Sequence, residues 1–139
     1  MRPRRDTAVV PERNVLGGPL ESCSSVPLTG FYRDGCCRTG PEDFGSHTIC
    51  AVLSSEFLEY QTSIGNDLIT PMPSHQFPGL EAGDRWCVTT RAWMRAYKEG
   101  VAAFVVLASS HERALEVVPL DLLRRYAVDV PADPGSIGG

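Results

Sequence analysis

The sequence lacks long apolar runs, an excess of positive charge and the C-x2-C spacing of common zinc motifs. No apolar segment approaches the ~20 residues that a membrane-spanning helix requires. The basic start of the chain, MRPRRDTAVVPERN, lacks the apolar stretch of about 7–15 residues that marks a secretory signal. We therefore expect a soluble, cytoplasmic protein without a membrane partner.

The charge balance narrows the class of partner. A formal net charge of −4 argues against nucleic acid, because binding to phosphates normally requires a basic face. Small molecules and other proteins are the expected partners, and of these a small molecule is the leading prediction.

Length and composition indicate one domain with short extensions. A chain of 139 residues that is 42% hydrophobic can bury one core of ordinary size. Prolines and charged residues at the start, and prolines and glycines at the end, predict mobile ends. The expected division is an arm over 1–13, a globular domain over 14–128 and a tail over 129–139.

Hydrophobic patterning predicts an α+β fold. The apolar, β-branched run TICAVL at 48–53 is typical of a buried strand, and Ser54 and Gly65 are suited to cap a helix after it. We expect a small mixed or antiparallel sheet with three helices mainly on one face. The strands lie at 48–53, 103–109 and 114–119, and the helices at 55–64, 85–99 and 120–127.

Several alternatives remain open at this point. A short strand at 86–89 competes with the start of the helix at 85–99, since Val88 and Thr89 are β-branched. One helical turn beginning near Ser109 competes with the strand at 114–119. Asp34-Gly35 predicts a hairpin that sets Tyr32 opposite Cys37. An α/β fold with a parallel βαβ crossover is the alternative architecture.

The cysteines concentrate before the first strand. Five cysteines are an odd number, and in the cytoplasm we expect free, buried or metal-bound thiols instead of disulfides. Thiolate and imidazole ligands suit zinc, so zinc is the candidate cofactor. The candidate metal ligands are Cys36, Cys37, His47 and Cys50, with Cys87 or Cys23 as a further ligand, and simple buried core cysteines are the alternative.

A reactive thiol is a second hypothesis. On the helix prediction, Cys87 is the third residue of the helix, where free N–H groups and Arg85 would favour the thiolate. His47 is the candidate base, and Cys36 is a further candidate nucleophile. A buried, inert Cys87 beside Trp86 is the alternative.

A ligand pocket is the third hypothesis. The long irregular loop at 66–83 is the kind that often carries function, and Trp86 is suited to form an apolar wall. Local roles as caps, turn formers and surface ion pairs are the alternative for the polar candidates. The candidate ligand-binding residues are Arg33, Asp34, Asn66, Asp67, Arg85 and Trp86.

Four strings carry a resemblance to a known family. In chain order they are GCCRTGPEDFGSHTICAV, GNDLITP, FPGLEAGDRWC and LEVVPLDLLRRYA. Together they resemble domain-of-unknown-function family 2237, which occurs in bacteria and plants, over roughly residues 13–128. The resemblance implies a single small soluble domain without an established activity, and so assigns no catalytic residue. Relatives often carry a second cysteine two positions after Cys87, where this chain has Thr89.

The leading prediction is therefore a domain that binds a small ligand in a pocket lined by Cys, His and Arg side chains. Use of a reactive thiol is an extension of that prediction, and catalysis is left open. The alternative is a zinc-stabilised or protein-interaction module without catalysis.

Overall fold

The apolar run at 48–53 forms the centre of the sheet. In the computed structural model, which describes residues 12–129, strand β1 spans Ile49–Val52. It pairs antiparallel with β2, Arg85–Val88, on one side and with β3, Phe104–Val105, on the other. This confirms a small α+β fold, and the sheet is antiparallel. The alternative of a parallel βαβ crossover is wrong.

Helix α1, Ser55–Ser63, confirms the helix predicted at 55–64. The Ser54 hydroxyl accepts a hydrogen bond from the Phe57 amide at 3.1 Å and caps its first turn. After Ile64 the backbone turns at Gly65, where φ is +92°, a conformation that glycine adopts without a steric penalty.

The predicted helix at 85–99 is wrong in its first turn. Residues Arg85–Val88 are strand β2, as the competing interpretation had it, and helix α2 spans only Thr90–Lys98. The Thr89 hydroxyl accepts from the Ala92 amide at 3.0 Å, so Thr89 is the cap of this helix. A strand places Trp86 and Val88 on one face and Cys87 on the other.

The last third of the chain contains less strand than predicted. Of 103–109 only Phe104–Val105 is strand, and Leu107–Ser109 forms a 3₁₀ helix. The strand predicted at 114–119 is wrong, because Glu112–Glu116 forms a 3₁₀ helix capped by the His111 side chain. Helix α3, Leu120–Arg125, confirms the helix expected near 120–127.

The hairpin predicted around Asp34-Gly35 is also wrong. Residues 31–36 form turns and bends without a strand pairing among them. Further along, Pro73–His75 adds a short 3₁₀ helix inside the loop at 66–83.

The two faces of the sheet bury different chemistry. One face contributes Ile49, Ala51, Trp86, Val88 and Val105 to the main core, where they pack with residues of α1, α2 and α3. The opposite face buries a separate cluster of Cys23, Cys37, Cys50 and Cys87 with Val106. Alternation along β1 and β2 produces this division.

The predicted arm and tail lie mostly outside the described residues. At the boundaries, the Glu12 carboxylate lies 2.9 Å from Nε2 of the buried His111. The Asp129 carboxylate accepts hydrogen bonds from the amides of Leu107 and Ala108. Over residues 12–129 no helix is both long and apolar enough to cross a membrane.

Candidate functional site

Four cysteines form a compact group on the second face of the sheet, which we call the cysteine tetrad: Cys23, Cys37, Cys50 and Cys87. Each is 0–4% exposed. Two disulfides join them, Cys23–Cys50 and Cys37–Cys87, with Cα separations of 5.7 and 5.4 Å. The expectation that the chain has no disulfides is therefore wrong. An odd number of cysteines requires only that one thiol stay unpaired, here that of Cys36, and does not exclude disulfides among the other four.

The two disulfides of the tetrad link an irregular segment, residues 24–36, to the sheet. Cys23 and Cys37 lie at the two ends of residues 24–36, and both bond to strand cysteines. Within the segment, the Thr29 hydroxyl accepts from the Cys87 amide at 2.8 Å, and the Gly35 carbonyl accepts from the Cys23 amide at 2.7 Å. Covalent and hydrogen bonds thus hold a stretch that has no strand or helix of its own.

A cavity of about 380 Å³ lies between this segment and the loop at 66–83. We call it the Arg33 cavity. Its walls are mainly apolar, and its polar side chains are Arg33 and Gln76. The lining residues are Leu28, Arg33, Pro71, Pro73, Gln76, Phe77 and Pro78. Apolar walls with a few polar groups and a volume near 300–1,000 Å³ are typical of small-molecule sites.

Arg33 lies over the indole of Trp86. Its guanidinium carbon is 5.0 Å from the ring centre, within the range of a cation–π contact. The Trp86 ring also meets Phe77 edge-on, with centroids 5.4 Å apart. Arg33 donates to the Gly30 carbonyl at 2.9 Å, and within residues 12–129 no carboxylate pairs with it. The cation at this cavity is therefore not neutralised by the described part of the chain.

Two cavity residues hold an unusual backbone conformation. Arg33 and Gln76 have φ of +56° and +55°, in the left-handed region that non-glycine residues seldom adopt. Only three non-glycine residues among the described ones do so, and two of them line this cavity. Such positions are more frequent at functional sites than elsewhere.

Backbone hydrogen bonds within the loop at 66–83 hold together the wall that this loop contributes to the cavity. The Met72 amide donates to the Phe77 carbonyl at 2.8 Å, and the Leu80 amide donates to the Leu68 carbonyl at 3.0 Å. Gly79 has φ of +80°, and a Cβ there would lie 2.5 Å from the Ile69 carbonyl oxygen. The close approach of the two sides of the loop therefore depends on glycine at this position.

Of the six predicted ligand-binding residues, only Arg33 lines the cavity, and Trp86 lies behind its wall in contact with Arg33 and Phe77. Asp34 lies beside Arg38, with a carboxylate oxygen 2.7 Å from Nε. Asp67 accepts from the Ile69 and Thr70 amides, which is the local role of a turn former.

The other two predicted residues also lie outside its walls. Asn66 donates to the side chain of the buried Gln61 at 2.9 Å. Arg85 is exposed at the start of β2 and does not line the cavity.

His47 forms a pair with Asp43 away from this cavity. Its Nδ1 lies 2.6 Å from Oδ1 of Asp43, whose side chain is fully buried, while the His47 side chain is 37% exposed. Burial alone would raise the pKa of Asp43. Hydrogen bonds from the ring and amide of His47 and from the Thr39 hydroxyl outweigh it, and the pKa lies below its usual range. Asp43 is therefore a buried acid held by His47, although it lies in a loop rich in glycine and proline.

The cysteine candidates for a reactive thiol lie in unfavourable settings. Cys87 is on a strand, not at a helix start, and its sulfur is bonded to Cys37. Cys36 has a free thiol, but burial and the neighbouring Asp34 raise its pKa, against a smaller opposing effect of Arg38. A raised pKa leaves less thiolate, the reactive form, at neutral pH.

Only some of the predicted metal ligands come together. Within the described residues, the one group of three or more His, Cys or acidic side chains whose ligand atoms all lie within 4.8 Å of one another is Cys23, Cys37 and Cys87. Cys37 belongs to the predicted set of Cys36, Cys37, His47 and Cys50, and Cys87 or Cys23 was the predicted further ligand. Cys50 adjoins this group through its bond to Cys23. His47 is held by Asp43, and Cys36 lies outside the tetrad.

Sequence reasoning missed most of the cavity walls. The loop at 66–83 was predicted to be of the kind that often carries function, but no sequence pattern marked its individual residues as ligand-binding. Its cavity residues include Pro71, Pro73, Phe77 and Pro78. Gln76 and Leu28 were missed as well. A detectable signal existed for Asp43, because His47 follows it four residues later in a glycine-containing loop.

The chain belongs to the family described as an uncharacterized protein conserved in bacteria, domain-of-unknown-function family 2237, which it matches over residues 13–127. This confirms the resemblance. The matched range includes the cysteine tetrad and every residue of the Arg33 cavity. No curated protein matches the chain.

Proposed function

We propose that this domain binds a small organic anion with an apolar body in the Arg33 cavity. The observation that carries the proposal is an arginine that pairs with no carboxylate of residues 12–129 and lies at an apolar cavity of about 380 Å³. A guanidinium recognises a carboxylate or phosphate through paired hydrogen bonds, and the Phe77 and proline walls suit an apolar remainder. The proposed role is binding, without an assigned reaction.

The contacts around Arg33 support preorganisation. The hydrogen bond to Gly30 and the stacking on Trp86 fix the guanidinium before a ligand arrives. Fixed groups lose less conformational freedom on binding, so more of the interaction energy contributes to affinity.

The test compares two probes of the same shape and different charge, 1-naphthoate and 1-naphthamide. Titration of the full chain is followed by the amide and indole signals in ¹H–¹⁵N NMR spectra. We expect 1-naphthoate to shift the Trp86 indole and the amides of residues 28–33, 72 and 74–77. The neutral amide should bind at least about tenfold more weakly, as expected for loss of a charged hydrogen bond.

Variants identify the group responsible. Arg33→Gln should abolish the preference for the carboxylate, and Arg33→Lys should recover part of it, since lysine lacks the planar fork. Arg85→Gln is the matched control, because Arg85 is an exposed cation that does not line the cavity. Equal binding of both probes, or equal effects of the Arg33 and Arg85 variants, would overturn the proposal. So would the absence of shifts at the cavity with either probe.

A second candidate is recognition of an apolar peptide segment at the same surface. It is favoured by exposed apolar side chains near the cavity, with Leu28 46% and Met72 48% exposed. This candidate predicts that an apolar peptide without acidic residues binds and that Arg33→Gln does not weaken it.

A cytoplasmic location stays a prediction. Two disulfides weigh against it, because cytoplasmic thiols are normally kept reduced. Alkylation in denaturant with a metal chelator, applied as the cells are lysed and followed by a count of the modified thiols, decides which state the cell maintains. One modified thiol indicates the two-disulfide state, and five indicate the reduced state.

A further inference from the structure

We propose that the cysteine tetrad, once reduced, is a closed zinc site with four sulfur ligands. The sulfurs of Cys23, Cys37 and Cys87 already lie within 4.8 Å of one another, and the Cys50 sulfur is bonded to that of Cys23. A tetrahedral zinc site with Zn–S bonds of about 2.3 Å places its sulfurs ~3.8 Å apart. Three of the sulfurs therefore occupy a region close to the size that one zinc ion requires, and the fourth, that of Cys50, lies one bond away from the sulfur of Cys23.

The sheet positions two of the ligands. Cys50 and Cys87 are direct partners in the β1–β2 register. Their amides donate elsewhere, to the hydroxyls of Ser110 at 3.0 Å and Thr29 at 2.8 Å. They thus form a pair without mutual hydrogen bonds, the type in which facing side chains lie closer. Their backbone positions depend on the sheet and not on a bond between their sulfurs.

The loops supply the other two ligands. Cys23 is held by its amide on the Gly35 carbonyl, and Gly35 in turn donates to the Thr29 carbonyl at 2.9 Å. Cys37 follows directly after this hydrogen-bonded turn. None of these contacts uses a sulfur atom, and the Thr29 hydroxyl also accepts from the Cys87 amide on β2, so the proposal expects both loop cysteines to stay near the sheet when the disulfides open.

The chemistry balances with a dithiol as reductant. Each disulfide accepts two electrons and two protons from one dithiol, which leaves as its own disulfide. The four thiols formed then release four protons as their thiolates bind one Zn²⁺. Two molecules of a small disulfide reverse this sequence: each takes two electrons from a pair of thiolates and two protons from water, leaves as its dithiol, and the ion is expelled. The tetrad would thus be held together by zinc in a reducing compartment and by disulfides in an oxidising one.

The site is of the structural type. All four cysteines are buried, and four sulfur ligands complete the tetrahedron without an open position for water or substrate. The inference does not rest on the proposed ligand cavity, and neither depends on the other being correct.

The test uses the full chain reduced with dithiothreitol and freed of reductant without oxygen. Titration with Co²⁺ as a spectroscopic substitute should saturate at one ion per chain, with the absorption bands of tetrahedral sulfur ligation. Zn²⁺ should displace the cobalt, and alkylation should then modify one thiol, Cys36, while the other four are protected. The oxidised protein should bind neither ion.

Matched variants assign the ligands. Cys36→Ser should leave metal binding unchanged, because Cys36 lies outside the tetrad. Cys87→Ser, reduced in the same way, should weaken zinc binding at least 100-fold. If Cys36→Ser abolishes binding, or the folded reduced protein binds less than stoichiometric metal, the proposal fails.

Unfolding on reduction also decides the question. Circular dichroism of the reduced, metal-free chain shows whether it retains its structure. If it unfolds and Zn²⁺ restores the native spectrum, the proposal holds. It fails if the chain unfolds and zinc does not restore it. An iron–sulfur cluster also uses four cysteine ligands. If the native spectrum returns only when iron and sulfide are added, the assignment to zinc is wrong.

Discussion

Cys50 and Cys87 face each other across the β1–β2 ladder, yet each sulfur is bonded to a loop cysteine and not to the other. The strands are already joined by backbone hydrogen bonds, so a bond between these two residues would add little restraint. Bonds to Cys23 and Cys37 instead restrain a segment that lacks regular structure. The disulfides therefore stabilise the part of the fold that the sheet does not.

Removal of either disulfide should destabilise the protein markedly. The linked cysteines are 27 and 50 residues apart, and loop-closure entropy for such separations gives about 3.5 and 4 kcal/mol. We expect the paired variants Cys23→Ala/Cys50→Ala and Cys37→Ala/Cys87→Ala each to lower the free energy of unfolding by about 2–4 kcal/mol. Urea denaturation measures this, with Cys36→Ala as the control. Paired variants as stable as that control would contradict a stabilising role.

Gln61 should be a second determinant of stability. Its amide is fully buried, donates to the Ala92 carbonyl at 2.9 Å and accepts from Asn66 at 2.9 Å. Gln61→Met preserves the size of the side chain and removes both hydrogen bonds. We expect a loss of about 1–3 kcal/mol of unfolding free energy, since buried polar groups lose their partner.

Glu59→Met is the control for that change, because Glu59 is exposed on the same helix. Its effect in the same urea experiment should be within about 0.5 kcal/mol. Equal effects at positions 59 and 61 would show that the buried hydrogen bonds contribute nothing measurable.

The elements that the sequence predicted correctly are those fixed by local signals. β1 is a continuous apolar run, and α1 begins at a serine cap and ends before a glycine. The start of α2 was misplaced because Trp86, Thr90 and Trp93 fit helical spacing by chance, although a strand and a helix divide them at Thr89. The cap at Thr89 was the local signal that would have separated the two elements.

The candidate site was harder to predict because tertiary contacts build it. Arg33 and Trp86 were expected to bind ligand and do meet, but 53 positions of chain separate them, and only the fold brings Phe77 and Pro71 beside them. Disulfide pairing is equally non-local. The identity of the cavity walls and of the cysteine partners therefore could not be derived from spacing.

Acid should destabilise the domain partly through Asp43. The pKa of Asp43 is lowered in the folded state, so its contribution is present above the unfolded value of about 3.9 and is lost as pH falls through the folded value. Urea unfolding between pH 2.5 and 6 should show a decline in stability on the acid side. Asp43→Asn should reduce the steepness of that decline, and an unchanged pH dependence would contradict the assignment.

Ligand binding in the Arg33 cavity should depend on the redox state of the cysteine tetrad. Cys23 and Cys37 bracket residues 24–36, which carry Leu28 and Arg33, so opening both disulfides removes the covalent anchors of one cavity wall. The reduced, metal-free protein should therefore bind 1-naphthoate at least about tenfold more weakly than the oxidised protein, a difference of ~1.4 kcal/mol. NMR titration of both forms measures the change.

Addition of Zn²⁺ to the reduced protein tests whether the weaker binding results from loss of an ordered tetrad. If an ordered tetrad holds the wall, zinc should restore affinity close to that of the oxidised form, and Cys36→Ser should behave as the unaltered chain does. If the reduced protein binds the probe as tightly as the oxidised protein, the hydrogen bonds around Thr29 and Gly35 are sufficient to hold the wall. The disulfides then stabilise the fold without tuning the cavity.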